Sequence, residues 1–321
     1  MPQCRFSSRL IMLALLLGSA VPALAQDRLD VVASFSIVAD MVREIGGDSV
    51  AVTALVGPNG DAHVYEPSPA DARAVSHADV LVFNGLEFEG WLPRLVGATD
   101  FSGLRIEASQ GIEARRWAGG GAHQDGMQAA SATLDPHAWQ DLGNGVIYAR
   151  NIANALVKAD PEHAARYERR AADYIDRLET LDRRLSAAFD AVPRAQRTVV
   201  TSHDAFQYFG AAYGLDFIAP EGISTEAEAS AADVARIIDQ IREAGISAVF
   251  VENITDSRLI DRISEQTAAR VGGELYSDAL SAPDGPAPSY IQLFRYNATQ
   301  LLNALSPDAR EADQARPARL Q

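Results

Sequence analysis

Apolar and polar positions along the chain fall into short blocks whose period keeps switching between two and 3.6 residues. Residues 29–35 (Leu-Asp-Val-Val-Ala-Ser-Phe) and 50–56 (Val-Ala-Val-Thr-Ala-Leu-Val) are runs of β-formers, and they predict two strands. Residues 37–45 between them carry apolar side chains at helical spacing, and Gly46-Gly47 predicts the C-cap. The alternation continues with a helix over 69–76, a strand over 80–83, a helix over 91–96 and a strand over 104–107. A further helix is predicted over 145–158. Regular β/α alternation implies a parallel sheet covered on both faces.

Asp160-Pro161 then offers an N-cap and an N1 residue for the longest helix, which reaches Val192-Pro193. Tyr167, Ala171, Tyr174, Leu178, Leu181, Leu185 and Phe189 recur three or four apart, as one apolar stripe. About 30 residues at 1.5 Å each span on the order of 45 Å, enough to run along two domains as a rigid strut. Beyond it, strands over 198–202, 215–218, 248–251 and 274–277 alternate with helices over 205–213, 231–244, 257–271 and 290–305. The predicted fold is α/β: two β/α lobes, each with a mostly parallel sheet, joined by one long rigid helix. Its parts are an N-terminal lobe over 26–159, the linking helix over 160–193 and a C-terminal lobe over 194–305. The polar stretch 306–321 has no period and predicts a disordered tail. Residues 117–133 are small and aperiodic, as in a mobile loop. Their glycine run neither follows a clear strand nor opens a helix, which excludes a phosphate cradle.

Composition adds compartment and partners. The chain has 321 residues, 47% of them hydrophobic, enough for about two globular domains. Residues 1–25 have the form of a secretory signal peptide: Arg5 and Arg9, an apolar run over 10–20, then Ala23-Leu24-Ala25 as the cleavage site. That run is too short to span a bilayer. Cys4 precedes it, whereas a lipid anchor requires a cysteine just after it. The expectation is a soluble, unanchored monomer in the periplasm. A formal charge of −15 argues against nucleic acid and anionic lipid as partners. With one cysteine the chain makes no internal disulfide and no thiolate cluster, so any metal site must use nitrogen and oxygen.

The six histidines are not equivalent. His203 follows the strand 198–202, and polar groups at the carboxyl ends of strands in α/β proteins face the ligand crevice. His63 lies in the loop Asp61-Ala-His-Val-Tyr-Glu-Pro67 after the second strand, and His137 in Leu134-Asp-Pro-His-Ala-Trp139. Asp278 follows the last strand of the second lobe. Three imidazoles and a carboxylate make a complete four-coordinate shell for Zn²⁺. Spacing alone does not establish that set, because the four residues are scattered. His77 at a helix end needs no function. His163 reads as solvent-facing, and His123 lies in the mobile loop.

The segments around these residues carry a resemblance. Asp61-x-His-x-Tyr-Glu-Pro67, Asp135-Pro-His-x-Trp139, Thr201-Ser-His-Asp-Ala-Phe206 and Gly273-Glu-Leu-Tyr-Ser-Asp278 resemble those of the periplasmic zinc and manganese solute-binding proteins of ABC importers. Asn84-Gly-Leu-Glu-Phe-Glu-Gly-Trp91, Val249-Phe-Val-Glu252 and Pro283-Asp-Gly-Pro286 add to it, over residues 29–305. The resemblance implies that His63, His137, His203 and Asp278 coordinate the metal between two lobes joined by a long helix. It further implies a non-enzymatic role, capturing Zn²⁺ and delivering it to a membrane permease, with a periplasmic metallochaperone as a possible loading partner. Manganese-binding members typically carry glutamate where this chain has His203, so the imidazole favours zinc by ligand softness while leaving Mn²⁺ or dual binding open. The histidine-rich loop of many zinc members has shrunk here to His123. A zinc hydrolase is the rival from another class, but catalytic zinc keeps a coordination position open and no His-Glu-x-x-His helix is present. Ser202-His203-Asp204 does not make a triad, because consecutive residues project in different directions. Two sequons, at Asn253 and Asn297, are chance matches in an exported bacterial protein. Ligation needs neutral imidazoles, so affinity is expected to fall as pH drops through ~6.5.

Overall fold

The computed structural model describes residues 28–117 and 133–305. The signal segment 1–25, the loop 118–132 with His123 and the tail 306–321 lie outside the described residues. The N-terminal lobe is built from β1 (Leu29–Phe35), α1 (Ser36–Gly46), β2 (Val50–Val56), α2 (Pro69–His77), β3 (Val80–Phe83), α3 (Leu92–Gly97), β4 (Leu104–Glu107) and α4 (Leu142–Ala159). Its strands form one parallel sheet in the order β2-β1-β3-β4. After α5 (Ala164–Asp190) come β5 (Thr198–Val200), α6 (Gln207–Tyr213), β6 (Asp216–Ile218), α7 (Ala231–Ala244), β7 (Ala248–Glu252), α8 (Arg258–Glu265), β8 (Arg270–Leu275) and α9 (Tyr290–Leu305). These strands repeat the arrangement as β6-β5-β7-β8, again all parallel. Chain direction across each sheet reverses beside its first strand, between β1 and β3 and between β5 and β7. The carboxyl ends of those pairs open the crevice where α/β sheets bind ligands.

The long helix is present, but it starts later than its sequence suggests. Pro161–His163 form a 3₁₀ turn and α5 begins at Ala164, running 27 residues, or about 40 Å at the helical rise. Asp160 is the N-cap residue of that turn, with Pro161 following it, but its side chain makes no cap hydrogen bond. Its carboxylate takes the His163 ring at 2.6 Å and the Tyr167 hydroxyl at 2.6 Å, so His163 is half-buried rather than solvent-facing. All seven stripe residues of α5 are buried, and the helix packs on α1, α4, α6 and α9. A single apolar core runs through both lobes, from Val31 and Ile37 by way of Trp139, Leu178 and Leu185 to Phe209 and Phe294. A smaller cluster, including Ile237, Val249 and Ile263, covers the outer face of the second sheet.

Several edges move. The α-helix after His137 begins at Leu142, with Asp141 Oδ1 accepting the Gly143 N–H at 2.7 Å, so Asp141 supplies the N-cap. Helix α6 starts at Gln207 instead of residue 205, and β5 ends at Val200. The larger difference is at β8. The pattern over 257–271 reads as one helix, yet α8 stops at Glu265 and Arg270 already joins the sheet by donating to Ser247. Two glycines disguise this strand. Gly272 lies under Phe250, where a Cβ would come within 2.7 Å, and Gly273 (φ 134°) carries a register shift against β7. Among the described residues no helix is long and apolar enough to cross a membrane.

Candidate metal centre

Each candidate ligand is aimed by its own loop. In the segment after β2, Asp61 Oδ1 accepts the His63 main-chain N–H at 2.8 Å, the Trp91 indole donates to Ala62 O at 2.8 Å, and the Phe88 ring packs edge-on against the imidazole. Before α4, Asp135 Oδ1 takes both the main-chain N–H of His137 at 3.0 Å and its ring Nδ1 at 2.8 Å. After β5, Glu252 Oε1 accepts the His203 main-chain N–H at 2.9 Å, and its Oε2 lies 2.7 Å from Nδ1 as a neighbouring charge, without hydrogen-bond alignment. An acid beside Nδ1 favours a proton there, so Nε2 of both rings faces inward and is the nitrogen left to ligate once the ring is neutral.

The three Nε2 atoms face one carboxylate. Asp278 Oδ2 lies 3.1 Å from His63 and 3.2 Å from His203, and Oδ1 lies 3.6 Å from His137. The His63 and His137 Nε2 atoms are 3.4 Å apart. One ligand atom from each of the four residues fits within 4.8 Å of all the others. His137, His203 and Asp278 are fully buried and His63 is 8% exposed, so the cluster is closed except at the His63 edge. Both Asp278 oxygens, both His203 ring nitrogens and Glu252 Oε2 find no aligned hydrogen-bond partner, although each has a polar neighbour close by. Donor atoms aimed at a common centre rather than at each other suit a cation between them.

Electrostatics agree. Burial alone would depress the imidazole pKa of His137, but the Asp278 charge and the bonds to Asp135 outweigh it and push the value up to about 9. His203 is raised likewise against its burial, by Glu252 and then Asp278. Burial would raise Asp278, yet the two imidazoles hold it well below the usual carboxylate range. Protons on imidazole therefore supply the positive charge that a metal ion would bring.

The sequence-expected set of four thus comes together, contributed by both lobes. Hydrogen bonds across the cleft bind the same loops: Asn59 N–H donates to Leu280 O at 2.9 Å, Thr225 Oγ1 to Asp61 Oδ2 at 2.6 Å, and the Gln140 side-chain amide to Ser277 O at 2.6 Å. The other described histidines stay outside. His77 Nδ1 lies 2.7 Å from Arg73 O at a helix end, and His163 is bound to Asp160. Ser202-His203-Asp204 assembles no triad, since His203 Nδ1 faces Glu252 while Asp204 takes the Trp117 indole at 2.8 Å and the Gln207 amide at 2.6 Å. The orienting acids are what the sequence reading missed. A signal for two of them exists: Asp61-Ala-His63 and Asp135-Pro-His137 share the spacing that lets an aspartate accept the N–H two residues on.

A family profile described as ZnuA, zinc-uptake complex component A, periplasmic, matches residues 31–304. The manganese-binding lipoprotein MntA of Halalkalibacterium halodurans is 34% identical over 278 residues, covering 87% of this chain and 89% of the relative. The Mn-bound periplasmic metal-binding protein of Candidatus Liberibacter asiaticus superposes with a TM-score of 0.76 at 30% identity, covering 87% of this chain and all of the other. The periplasmic zinc-binding protein TroA of Treponema pallidum superposes with a TM-score of 0.79 at 26% identity, covering 87% and 99%.

Proposed function

The chain belongs to the family of periplasmic zinc-uptake complex component A proteins and is a metal-binding component of an ABC importer; from that premise we propose that it captures Zn²⁺ through His63, His137, His203 and Asp278 and passes it to the membrane permease. The observation that carries this reading is the convergence of four donors from separate loops, within 4.8 Å of one another in a buried pocket. A four-coordinate shell rich in imidazole matches zinc in number and softness. Cleft-edge placement between two lobes suits exchange with an acceptor better than a permanently structural ion. In this reading residues 1–25 export the protein, which acts as a monomer, loaded directly or by a periplasmic metallochaperone.

Manganese is the second reading, favoured by the names of the MntA relative and of the Mn-bound neighbour. Competitive titration of metal-free protein with Zn²⁺ and Mn²⁺, with elemental analysis of the product, separates the two. One ion per chain with zinc winning is expected. Tighter manganese gives the second reading, and no bound ion overturns both.

A further inference from the structure

Asn84 follows β3, beside the end of β1, and is fully buried with every polar atom in use. Its Nδ2 donates to Pro136 O and Gly85 O, each at 2.9 Å, and its Oδ1 accepts the Tyr148 hydroxyl. Its main-chain N–H goes to Glu89 Oε1 at 2.7 Å, and its carbonyl accepts the Ser109 hydroxyl at 2.6 Å. The Pro136 contact is the one with consequence. That carbonyl belongs to the same peptide unit as the His137 N–H, and the N–H is held from the other edge by Asp135 Oδ1 at 3.0 Å. One peptide plane is thus clamped on both sides, directly before a candidate ligand. Loosening it displaces a ring nitrogen by on the order of an ångström, beyond the ~0.5 Å tolerance of a preorganised site.

The loop after Asn84 is shaped to support that clamp. Gly85, Leu86 and Glu87 have φ of 89°, 53° and 64°, three left-handed residues in succession, two of them not glycine. Such backbone is costly and persists where surrounding contacts over-determine it. Here it turns the chain back so that the Glu89 carboxylate reaches the N–H groups of Asn84 and Gly85 and the Ser34 hydroxyl, at 2.7, 3.2 and 2.6 Å.

We propose that Asn84 is a positioning residue for metal capture: it fixes the Pro136–His137 peptide plane and, through it, the direction of His137 Nε2. The inference rests on the reading of His137 as a ligand.

The test compares Asn84→Ala and Tyr148→Phe with Ser109→Ala, which cuts a bond to the same asparagine without touching the Pro136–His137 plane. Three quantities are read on full-length mature protein: the melting temperature of the metal-free form, the Zn²⁺ affinity by competition, and the ligand-field absorption spectrum of bound Co²⁺. Melting is expected to drop for both Asn84→Ala and Ser109→Ala. Only Asn84→Ala is expected to alter the Co²⁺ spectrum and to weaken Zn²⁺ by about 10–100-fold, the range for groups that orient ligands. Tyr148→Phe, which frees the amide to rotate, moves both in the same direction by less. A folded Asn84→Ala with an unaltered spectrum and affinity within twofold overturns the proposal, and so does a Ser109→Ala that changes the spectrum equally. If Asn84→Ala does not fold, unchanged spectrum and affinity in Tyr148→Phe overturn it instead. His137→Ala separates the two claims. Undiminished Zn²⁺ binding there removes the ligand assignment itself, whereas weak binding there with an intact Asn84→Ala site removes only the positioning role.

Discussion

Glu252 grips His203 at two points: one oxygen accepts the main-chain N–H at 2.9 Å, and the other lies 2.7 Å from Nδ1. Glu252 closes β7 and His203 follows β5, so the contact joins the two strands at the C-terminal lobe's topological switch. Both residues are fully buried.

Glu252→Gln keeps the shape but removes the charge that fixes the Nδ1 proton. Zinc affinity should fall by about 10–100-fold, as for other groups behind a metal-bound histidine. Competition against a chelator of known affinity measures it. Affinity within twofold of wild type would mean that His203 is oriented by packing alone.

The same contact governs the outcome of His203→Glu. A glutamate there would face Glu252 across the space of a 2.7 Å contact, and two buried carboxylates cannot both stay ionised. Expected for His203→Glu alone is loss of zinc without gain of manganese. His203→Glu/Glu252→Gln should recover metal binding with a narrower gap between Zn²⁺ and Mn²⁺. Manganese titrations of single and double variants decide it, and improved manganese binding in the single variant would sink the coupling.

Much of this was legible in the sequence because the signals were local. The strands over 29–35, 50–56 and 80–83 are long β-former runs bounded by turns, and they stand where their pattern puts them. The stripe from Tyr167 to Phe189 is buried throughout. His203 and Asp278 follow strands, so strand-end logic finds both. What escaped depends on distant partners. Strand β8 carries two glycines whose fit lies in Phe250 and in the register against β7, which no local pattern reports. Asp160 has the composition of a cap but spends its carboxylate on His163 and Tyr167. The grip of Glu252 on His203 spans 49 residues of chain.

Proton competition extends further up the pH scale than free imidazole would allow. Burial opposes the charge on His137, but Asp278 and Asp135 carry its pKa to about 9 in the metal-free site, above the ~6.5 expected from composition. Because this folded-state value lies above the unfolded one, the protonated ring stabilises metal-free protein fully below ~6.5. That contribution is lost as pH rises through about 9. A bound cation must displace the proton, so Zn²⁺ affinity should climb with pH up to about 9 and binding near pH 7 should release protons. Calorimetry in buffers of different ionisation enthalpy reads the release directly. Zero protons released at neutral pH would contradict the paired His–Asp cluster.

Asp40 shows the opposite balance. Its carboxylate accepts the Tyr290 N–H at 2.8 Å, but burial raises its pKa from 3.8 to about 6. A raised carboxylate favours folding while protonated, and that advantage fades as pH rises from 3.8 through about 6. Asp40→Asn keeps an acceptor for Tyr290 and removes the buried charge. At pH ~7 it should stabilise the protein by up to about 3 kcal/mol, since each tenfold change in a protonation equilibrium is worth about 1.4 kcal/mol, and below pH ~4 it should have no such effect. Urea midpoints on either side of that range test it, and equal stabilisation in acid and at neutrality would rule out the charge as cause.

Metal binding should change loops more than lobes. Helix α5 packs on α1, α4, α6 and α9, and one apolar core passes through both lobes around it. Rotating a lobe would break that core, at a cost set by its buried apolar area. The ligand loops meet across the cleft through hydrogen bonds such as Thr225–Asp61 and Asn59–Leu280, which can rearrange without a lobe rotation. Hydrogen exchange with and without Zn²⁺ should therefore show new protection confined to segments around residues 59–63, 135–139, 203–206 and 277–281, with α5 unchanged. Exchange that changes across α5, or over the whole second sheet, would mean that the lobes rotate on the helix instead.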